Sequence, residues 1–357
     1  MEKMINSFFN IVNFNFFSIL LINFLLFFFL NTLFVKKNIL IDQKKTSSHK
    51  QLINRDSVPL SGGVILLINC LFFDIFNSWQ SQILILIIFL VGLFADLQKL
   101  NSPLKRLVLQ TLTIIIFVSI NEIFIRSIRI SLIDIYLNHN LISIIFTSFC
   151  LLILINGSNF IDGANLQCSG YYLTVLIIFY YLNSNILLIN NFEIINILFP
   201  FLLSFMFLNL LNKSYFGDGG SYLLSFILGC VLIKYQNITN ISPYFIALVL
   251  WYPAYENFFS IIRKFITKNI KPDEPDLLHF HHLLFKYLNS KFSFSKILSS
   301  SIPAIIINFF NFIVFFIGTQ FIYSTFKLII LILICVSVYT LFYFILLRRE
   351  KLRLADI

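Results

Sequence analysis

Three aspartates stand where long apolar stretches give way to segments rich in Gly and Asn. Asp96 follows one such stretch, Asp162 ends the run Asn-Gly-Ser-Asn-Phe-Ile-Asp, and Asp218 lies in Gly-Asp-Gly-Gly-Ser. Asn156, Asn159 and Asp162 recur at intervals of three, which places them on one side of a helical turn. Carboxylate and amide oxygens are the ligands that Mg²⁺ prefers, usually together with substrate phosphates. These segments therefore predict a magnesium site.

Histidines form a second group of ionisable residues. His279, His281 and His282 make the segment His-Phe-His-His, shortly after Asp273 and Asp276. A spacing of i, i+2, i+3 does not bring all three rings to one face of a helix, and no cysteine accompanies them, which disfavours Zn²⁺. Taken alone, the segment is equally compatible with a surface loop.

The composition identifies the class of protein that must position these groups. Of 357 residues, 59% are hydrophobic and 12% charged, whereas soluble domains carry about 25% charged residues. This excludes a soluble domain and a disordered chain. The five cysteines are scattered, which excludes a disulfide scaffold. The apolar stretches are long and read as helices, not as the short alternating strands of a barrel. We expect an all-α polytopic membrane protein.

The apolar stretches predict eleven transmembrane helices, since a helix needs about 20 apolar residues to cross the hydrocarbon core. No loop is long enough for a separate soluble domain, so residues 1–357 are expected to form a single integral-membrane domain. The predicted spans lie near 11–35, 61–79, 81–94, 107–124, 141–157, 171–189, 194–212, 219–233, 242–262, 302–318 and 326–346.

Basic residues predict how these helices are oriented. With eleven spans, 21 of the 26 Lys and Arg residues fall in one alternate set of loops and in the C-terminal tail. Cytoplasmic loops carry such an excess, so we expect the N-terminus outside and the C-terminus inside. The net charge of +10 is then a topology signal and does not indicate nucleic acid.

The acidic and histidine segments fall on the same predicted cytoplasmic side as the basic residues. A single acid at a helix end is equally well explained by solvation alone. Ionisable groups close to a membrane are costly, however, and so many of them at one face favour a functional site.

Taken in order, these motifs resemble those of the polyprenyl-phosphate N-acetylhexosamine-1-phosphate transferases. This family includes undecaprenyl-phosphate N-acetylglucosamine-1-phosphate transferase and phospho-N-acetylmuramoyl-pentapeptide transferase. The His-x-His-His segment is closer to the branch that uses N-acetylhexosamine nucleotides. The resemblance covers about residues 42–290, and its motifs are His49 with Gly62–Gly63, Asp96 with Ser102–Pro103, Asn156–Gly163, Gly217–Ser221 and His279–His282.

The resemblance implies a reaction. A sugar-1-phosphate, of the N-acetylhexosamine class, would pass from a UDP-sugar to undecaprenyl phosphate with release of UMP, as the first step of cell-envelope glycan synthesis. The enzyme would lie in the bacterial inner membrane with a cytoplasmic active site. It would use Mg²⁺, with Mn²⁺ as the alternative ion. The expected partners are the UDP-sugar, undecaprenyl phosphate and the lipid bilayer, and whether the chain forms a homodimer is left open.

The resemblance also implies roles for individual residues. Asp218 and Asn159 would contact the metal. The catalytic carboxylates would be Asp96, Asp162 and Asp218. The remaining matched residues would bind substrate, and they are His49, Gly62, Gly63, Lys105, Asn156, His279, His281 and His282.

One residue departs from the family pattern. Ala95 precedes Asp96 where the family has Asp-Asp. A phosphate monoester has a second pKa of about 6 and is mostly dianionic at pH 7, so it can attack without a protein base. The substitution leaves a second reading open, a catalytically inactive homologue with a scaffolding role. A transporter of the lipid-linked glycan is a third, but it would predict ionisable residues at the membrane midplane and internal repeats, and the sequence shows neither.

Overall fold

Long apolar helices make up the protein, as expected for an all-α polytopic membrane protein. The computed structural model describes residues 14–42, 58–184, 194–267, 278–292 and 296–355. Its elements, in chain order, are α1 (Phe14–Lys37), β1 (Ile41–Asp42), β2 (Val58–Pro59), α2 (Ser61–Phe72), α3 (Trp79–Asp96), α4 (Pro103–Ile120), α5 (Ser131–Leu137), α6 (Asn140–Ile161), α7 (Gln167–Leu182), α8 (Ile194–Leu210), α9 (Gly217–Ile238), α10 (Pro243–Val249), α11 (Trp251–Thr267), α12 (Phe280–Lys291), α13 (Lys296–Thr319) and α14 (Thr325–Ala355).

Within the described residues, seven helices are long and apolar enough to cross a membrane: α1, α3, α4, α6, α9, α13 and α14. Helices α10 and α11 meet at a bend of 69° and together pass the same test. Helices α2, α7 and α8 are apolar but shorter. Each of the eleven predicted spans thus coincides with one helix or with the bent pair. The number that crosses, and the orientation, stay predictions.

The second predicted span, residues 61–79, is wrong in length. Helix α2 ends at Phe72, and the chain then turns through Asp74 and Asn77, both of which have positive φ. The next helix starts afresh, because Ser78 caps it by accepting a hydrogen bond from the Ser81 N–H. Twelve residues of helix extend only about 18 Å, whereas the hydrocarbon core is about 30 Å thick.

Two helices and a strand pair were not predicted. Helix α5 follows the loop after α4, and α12 begins inside the histidine segment. Strands β1 and β2 pair antiparallel, with Ile41 opposite Pro59. This pair joins the two ends of the segment 43–57. His49 belongs to that segment and lies outside the described residues.

Helix α9 lies at the centre of the bundle, packed against α2, α3 and α6. Its residues from Gly219 to Cys230 are all buried. Small residues let its neighbours approach closely. A Cβ at Gly63 would lie 2.7 Å from the backbone nitrogen of Gly220, and a Cβ at Gly92 would lie 2.5 Å from the Cα of Gly219. The first turn of α9, which carries Asp218, is therefore held tightly by α2 and α3.

The far end of the bundle uses its polar groups to fasten loops. Asp134 accepts hydrogen bonds from the Ser127 hydroxyl and the Ile128 N–H. Arg129 donates to the carbonyl oxygens of Asn240 and Tyr323, each at 2.8 Å. These contacts hold the loops after α4, α9 and α13 together.

Candidate active site

Four helix ends that carry predicted site residues meet at one end of the bundle. Helix α3 ends at Asp96, and α9 begins next to Asp218. The last turn of α6 carries Asn159, and the first turn of α4 carries the predicted Lys105 and its neighbour Arg106. The structure therefore brings together motifs that the sequence keeps far apart.

The carboxylate of Asp96 caps helix α9. Its Oδ1 accepts a hydrogen bond from the Asp218 N–H at 3.0 Å, and its Oδ2 accepts one from the Gly219 N–H at 3.2 Å. The first N–H groups of a helix lack partners within the helix and attract negative charge. Gly217 has a φ of +72°, and a Cβ there would lie 2.6 Å from Asp96 Oδ2. Asp96 thus fixes the turn that carries Asp218.

Asp218 has a cationic neighbour that the sequence analysis did not select. Arg106 Nη1 lies 3.3 Å from Asp218 Oδ2, and the two side chains are 24% and 27% exposed. The predicted cation, Lys105, is exposed, and its backbone N–H donates to the Ser102 hydroxyl. The sequence did contain a signal for Arg106. It lies four residues before Gln110, so it stands one turn earlier on the side of α4 that is buried.

Both predicted asparagines lie on α6 and contact neighbouring helices. Asn159 Oδ1 accepts a hydrogen bond from the Ser221 hydroxyl at 3.3 Å, and its amide nitrogen donates to the Tyr222 hydroxyl at 3.5 Å. Asn156 donates to Gln110 Oε1 at 3.1 Å. Asp162 directly follows α6 as its C-cap residue. The interval of three thus directs the two asparagines towards α4 and α9.

The histidine segment lies against the end of α6. A Cβ at Gly163 would collide with Nε2 of His281 and would lie 3.2 Å from Nε2 of His282. The His281 and His282 ring centroids are 4.1 Å apart, and the His279 ring stacks on His281 at 5.9 Å. A glycine after Asp162 therefore lets two imidazole rings reach the asparagine-rich turn.

Glu256 is a second residue that the sequence analysis did not assign to the site. It is buried in α11 and contacts His279 Nδ1 at 2.8 Å through Oε1. No local pattern could have revealed the contact, because Glu256 and His279 are 23 residues apart in the sequence.

The predicted glycine pair packs against the protein's own backbone. Gly62 and Gly63 are both buried, and the Gly62 N–H donates to the Tyr215 carbonyl oxygen at 3.0 Å. The adjacent Ser61 hydroxyl contacts that of Ser214 at 2.8 Å. Helix packing thus accounts for both glycines, and their role in binding substrate stays a prediction.

The oxygen atoms of Asp218 and Asn159 fit a magnesium site that water and substrate phosphates would complete. Among the described residues, no group of three His, Cys, Asp or Glu side chains forms a ready-made metal cage. Mg²⁺ does not need one, since it commonly takes one or two protein oxygens, several waters and substrate phosphates. The Ser221 hydroxyl donates to Asn159 Oδ1 and to the Asp218 carbonyl oxygen, which links the two predicted ligands.

The family comparison covers part of the chain that supplies these residues. The family model described as glycosyl transferase family 4 matches residues 63–236. The matched range includes Asp96, Asn159, Asp162 and Asp218, and it stops before the histidine segment. No curated protein matches the chain. The match supports a glycosyl-phosphate transferase that acts on a polyprenyl phosphate. Over residues 63–236 the chain is thus similar to glycosyl transferase family 4, which supports a place in the superfamily of polyprenyl-phosphate hexosamine-1-phosphate transferases.

Proposed function

We propose that this chain transfers a sugar-1-phosphate, of the N-acetylhexosamine class, from a UDP-sugar to undecaprenyl phosphate and releases UMP. The observation that carries the proposal is the position of Asp218. It lies at the start of the buried helix α9, between Arg106 and the asparagine turn, inside the region that matches the family.

The reaction joins two polyanions. A phosphate oxygen of undecaprenyl phosphate attacks the β-phosphorus of the UDP-sugar, and a new P–O bond forms. The bond from that phosphorus to the bridging oxygen breaks, and UMP leaves with the electron pair. Because the attacking phosphate is already a dianion near neutral pH, the protein mainly has to position the groups and neutralise charge.

The described residues suit this task. Arg106 can pair with phosphate oxygens through its planar guanidinium group. Asp218 and Asn159 would hold Mg²⁺ or Mn²⁺, which when bound supplies Lewis-acid stabilisation of pyrophosphate charge. Asp162 and the rings of His281 and His282 lie next to one another around Gly163 and would orient the nucleotide and its phosphates.

The proposed location follows from the substrates. Undecaprenyl phosphate stays in the bilayer, and the UDP-sugar comes from the cytosol. The distribution of basic residues in the sequence predicts that the end of the bundle with the site faces the cytoplasm, across a bacterial inner membrane. The reaction would begin the synthesis of a cell-envelope glycan.

An inactive scaffold is the second candidate function, and Ala95 is the observation that favours it. The neighbouring Asp96 is engaged with the backbone of α9. In this reading the site keeps its shape without turning over substrate.

A double-label assay tests the proposal. The purified protein is placed in liposomes with undecaprenyl phosphate, Mg²⁺ and UDP-sugars labelled on the sugar and on the β-phosphate. We expect a lipid product that carries both labels, together with one UMP for each product. A product with the sugar label alone, with release of UDP, would show transfer of the sugar instead. No product from any UDP-sugar, with Mg²⁺ or Mn²⁺ and folded protein, would favour the scaffold.

A further inference from the structure

Glu256 is a buried carboxylate whose hydrogen-bond donors come from two other helices. The side chain of Glu256 is 2% exposed. Its Oε1 accepts from His279 Nδ1 at 2.8 Å and from the Phe280 N–H at 3.4 Å, and its Oε2 accepts from the Tyr339 hydroxyl. A buried carboxylate is costly unless several donors surround it, and here three do so.

Tyr339 brings the last helix into this arrangement. It lies on α14, is 4% exposed, and its ring centroid is 4.8 Å from that of Phe280. Further along the same interface, Lys286 of α12 pairs with Glu350 of α14 at 3.3 Å. Helix α14 therefore packs against and supports α12, the helix that begins in the histidine segment.

These contacts determine the orientation of His279. Because Nδ1 meets Glu256, the opposite ring nitrogen, Nε2, points away from that carboxylate. The ring stacks on His281, with an angle of 10° between the planes, and lies 5.3 Å from the ring of Phe160. Since His281 abuts Gly163, the chain of contacts runs from Tyr339 to the turn that ends at Asp162.

A contact that only held the helices together would not require the buried charge of Glu256. Replacing a buried ion pair with apolar residues of similar volume is often neutral or stabilising. A hydrogen bond from one ring nitrogen to a carboxylate is instead the usual means of fixing the tautomer and orientation of a histidine that acts through the other nitrogen.

We propose that Glu256 and Tyr339 are positioning residues for His279, and that they present its Nε2 to the phosphate groups of the substrate. The inference rests on the proposed function and extends the site beyond the matched residues 63–236 to the last helix. In the protonated ring, Nε2–H donates to a phosphate oxygen, and Glu256 balances the ring's charge. Tyr339 acts one step further away by holding Glu256.

A matched pair of hydroxyl deletions tests the inference. Tyr339→Phe removes the hydroxyl that contacts Glu256. Tyr255→Phe removes a hydroxyl from the same interface of α11 and α14, where it bonds Thr340 at 2.8 Å. We expect Tyr339→Phe to lower kcat/KM about tenfold, since it removes a hydrogen bond to a charged group. Tyr255→Phe should leave kcat/KM within about twofold, and Glu256→Gln should lower it by about 10- to 100-fold. Thermal midpoints confirm that each variant is folded.

Two further readouts separate positioning from stability. In a His279→Asn background, Tyr339→Phe should cause no additional loss, because it acts through the missing ring. In protein labelled with ¹⁵N-histidine, the Nδ1–H signal of His279 should show one fixed hydrogen bond in the wild type and in Tyr255→Phe. In Glu256→Gln the same signal should shift, because the charged acceptor of that hydrogen bond is lost.

The outcomes distinguish the two proposals. If the wild type transfers sugar phosphate but Tyr339→Phe behaves like Tyr255→Phe, only the positioning role is overturned. Additive losses in the His279→Asn background, or an unchanged Nδ1–H signal in Glu256→Gln, would overturn it as well. If the wild type transfers nothing, the proposed function fails and the role in transfer fails with it, whatever the Nδ1–H signal shows.

Discussion

Arg106 Nη1 lies 3.3 Å from Asp218 Oδ2, and neither side chain is fully enclosed. A partly exposed ion pair of this kind contributes only about 0–1 kcal/mol to stability. It can therefore exchange partners at little cost, with the guanidinium group moving to a substrate phosphate and the carboxylate to a metal ion. Asp96 holds the backbone turn that carries Asp218, which keeps the Arg106–Asp218 pair in place for the reaction.

The first prediction is that Asp218→Asn abolishes transfer while the protein stays folded. The amide keeps the shape of the side chain but loses the charge that a metal ion or Arg106 requires. A metal-held carboxylate supplies several kcal/mol of transition-state stabilisation, so we expect a loss of about a thousandfold. Rates at saturating Mg²⁺ and thermal midpoints in detergent measure the two effects.

Asp134→Asn is the control for that variant, because Asp134 also accepts local hydrogen bonds but lies at the far end of the bundle. It should transfer at a normal rate below its thermal midpoint. Near-normal turnover of Asp218→Asn would remove Asp218 from the mechanism.

The second prediction separates two neighbouring cations. Arg106→Gln should lower kcat/KM by about a hundredfold, because a charge-assisted contact to phosphate contributes about 1.5–3 kcal/mol. Arg106→Lys should recover part of the rate, since Lys keeps the charge without the bidentate geometry. Lys105→Gln should have the smaller effect, because its side chain is exposed. If Lys105→Gln lowered kcat/KM more than Arg106→Gln did, Lys105 would be the cation that binds phosphate, as the sequence analysis expected.

The pair also shows how far the sequence could predict the site. Asp96, Asp162 and Asp218 were predicted because acids next to long apolar helices are costly and few. The choice between Lys105 and Arg106 depended on which side of α4 faces Asp218. Adjacent residues of a helix point about 100° apart. The resemblance assigned Lys105 from its place in the motif, and only the spacing from Gln110 indicated that Arg106 lies on the packed side.

Other features depended on contacts between distant segments. Glu256 meets His279 and Tyr339 only after α11, α12 and α14 have packed. The helical fold was predictable because apolar length alone requires helices in a membrane. The early end of α2 was missed, because the short polar turn after Phe72 lies between two apolar stretches and was included in the predicted span.

The third prediction concerns the close approach of α3 and α9. A Cβ at Gly92 would lie 2.5 Å from the Cα of Gly219 and 2.6 Å from the carbonyl carbon of Asp218. Backbone atoms cannot move aside cheaply, so Gly92→Ala should separate the helices and pull the start of α9 from Asp96. We expect a loss of about 1–3 kcal/mol in stability, together with lower activity.

Gly229→Ala is the matched variant, on α9, the helix against which Gly92 packs. Its Cβ would meet only the side-chain ends of Leu151 and Leu154, at 2.7 and 2.8 Å. Because such ends can shift, its thermal midpoint should fall less. Equal midpoints for the two variants would show that the contact between α3 and α9 is not tight.

The fourth prediction is the orientation in the membrane. Ile135 of α5 and Ser290 of α12 are both exposed, near opposite ends of the bundle. In intact cells, a membrane-impermeant maleimide should label Ile135→Cys and should label Ser290→Cys only after lysis. Cys70, Cys168, Cys230 and Cys335 are buried, so a Cys150→Ser background keeps the native signal low. Labelling of both positions from the same side would contradict the topology.

The fifth prediction is that Ala95 makes this a base-free enzyme and not an inactive one. Asp96, Asn159 and Asp218 keep an ordered arrangement around the start of α9. If the lipid phosphate attacks as its own dianion, the transfer rate should rise with pH through the phosphate's second pKa, about 6, and then level off. The sign follows from the dianion being the nucleophile, since protonation at lower pH removes it.

Ala95→Asp provides the decisive comparison. Residue 95 stands one position before the capping Asp96, so on a helix its side chain points about 100° away from the contact with α9. The new carboxylate should therefore leave the cap intact, and a base adds little to a nucleophile that is already deprotonated. We expect a change of about threefold or less above pH 7. A wild type without transfer, restored by Ala95→Asp over orders of magnitude, would instead show that the family's first aspartate is indispensable and that the chain is an inactive homologue.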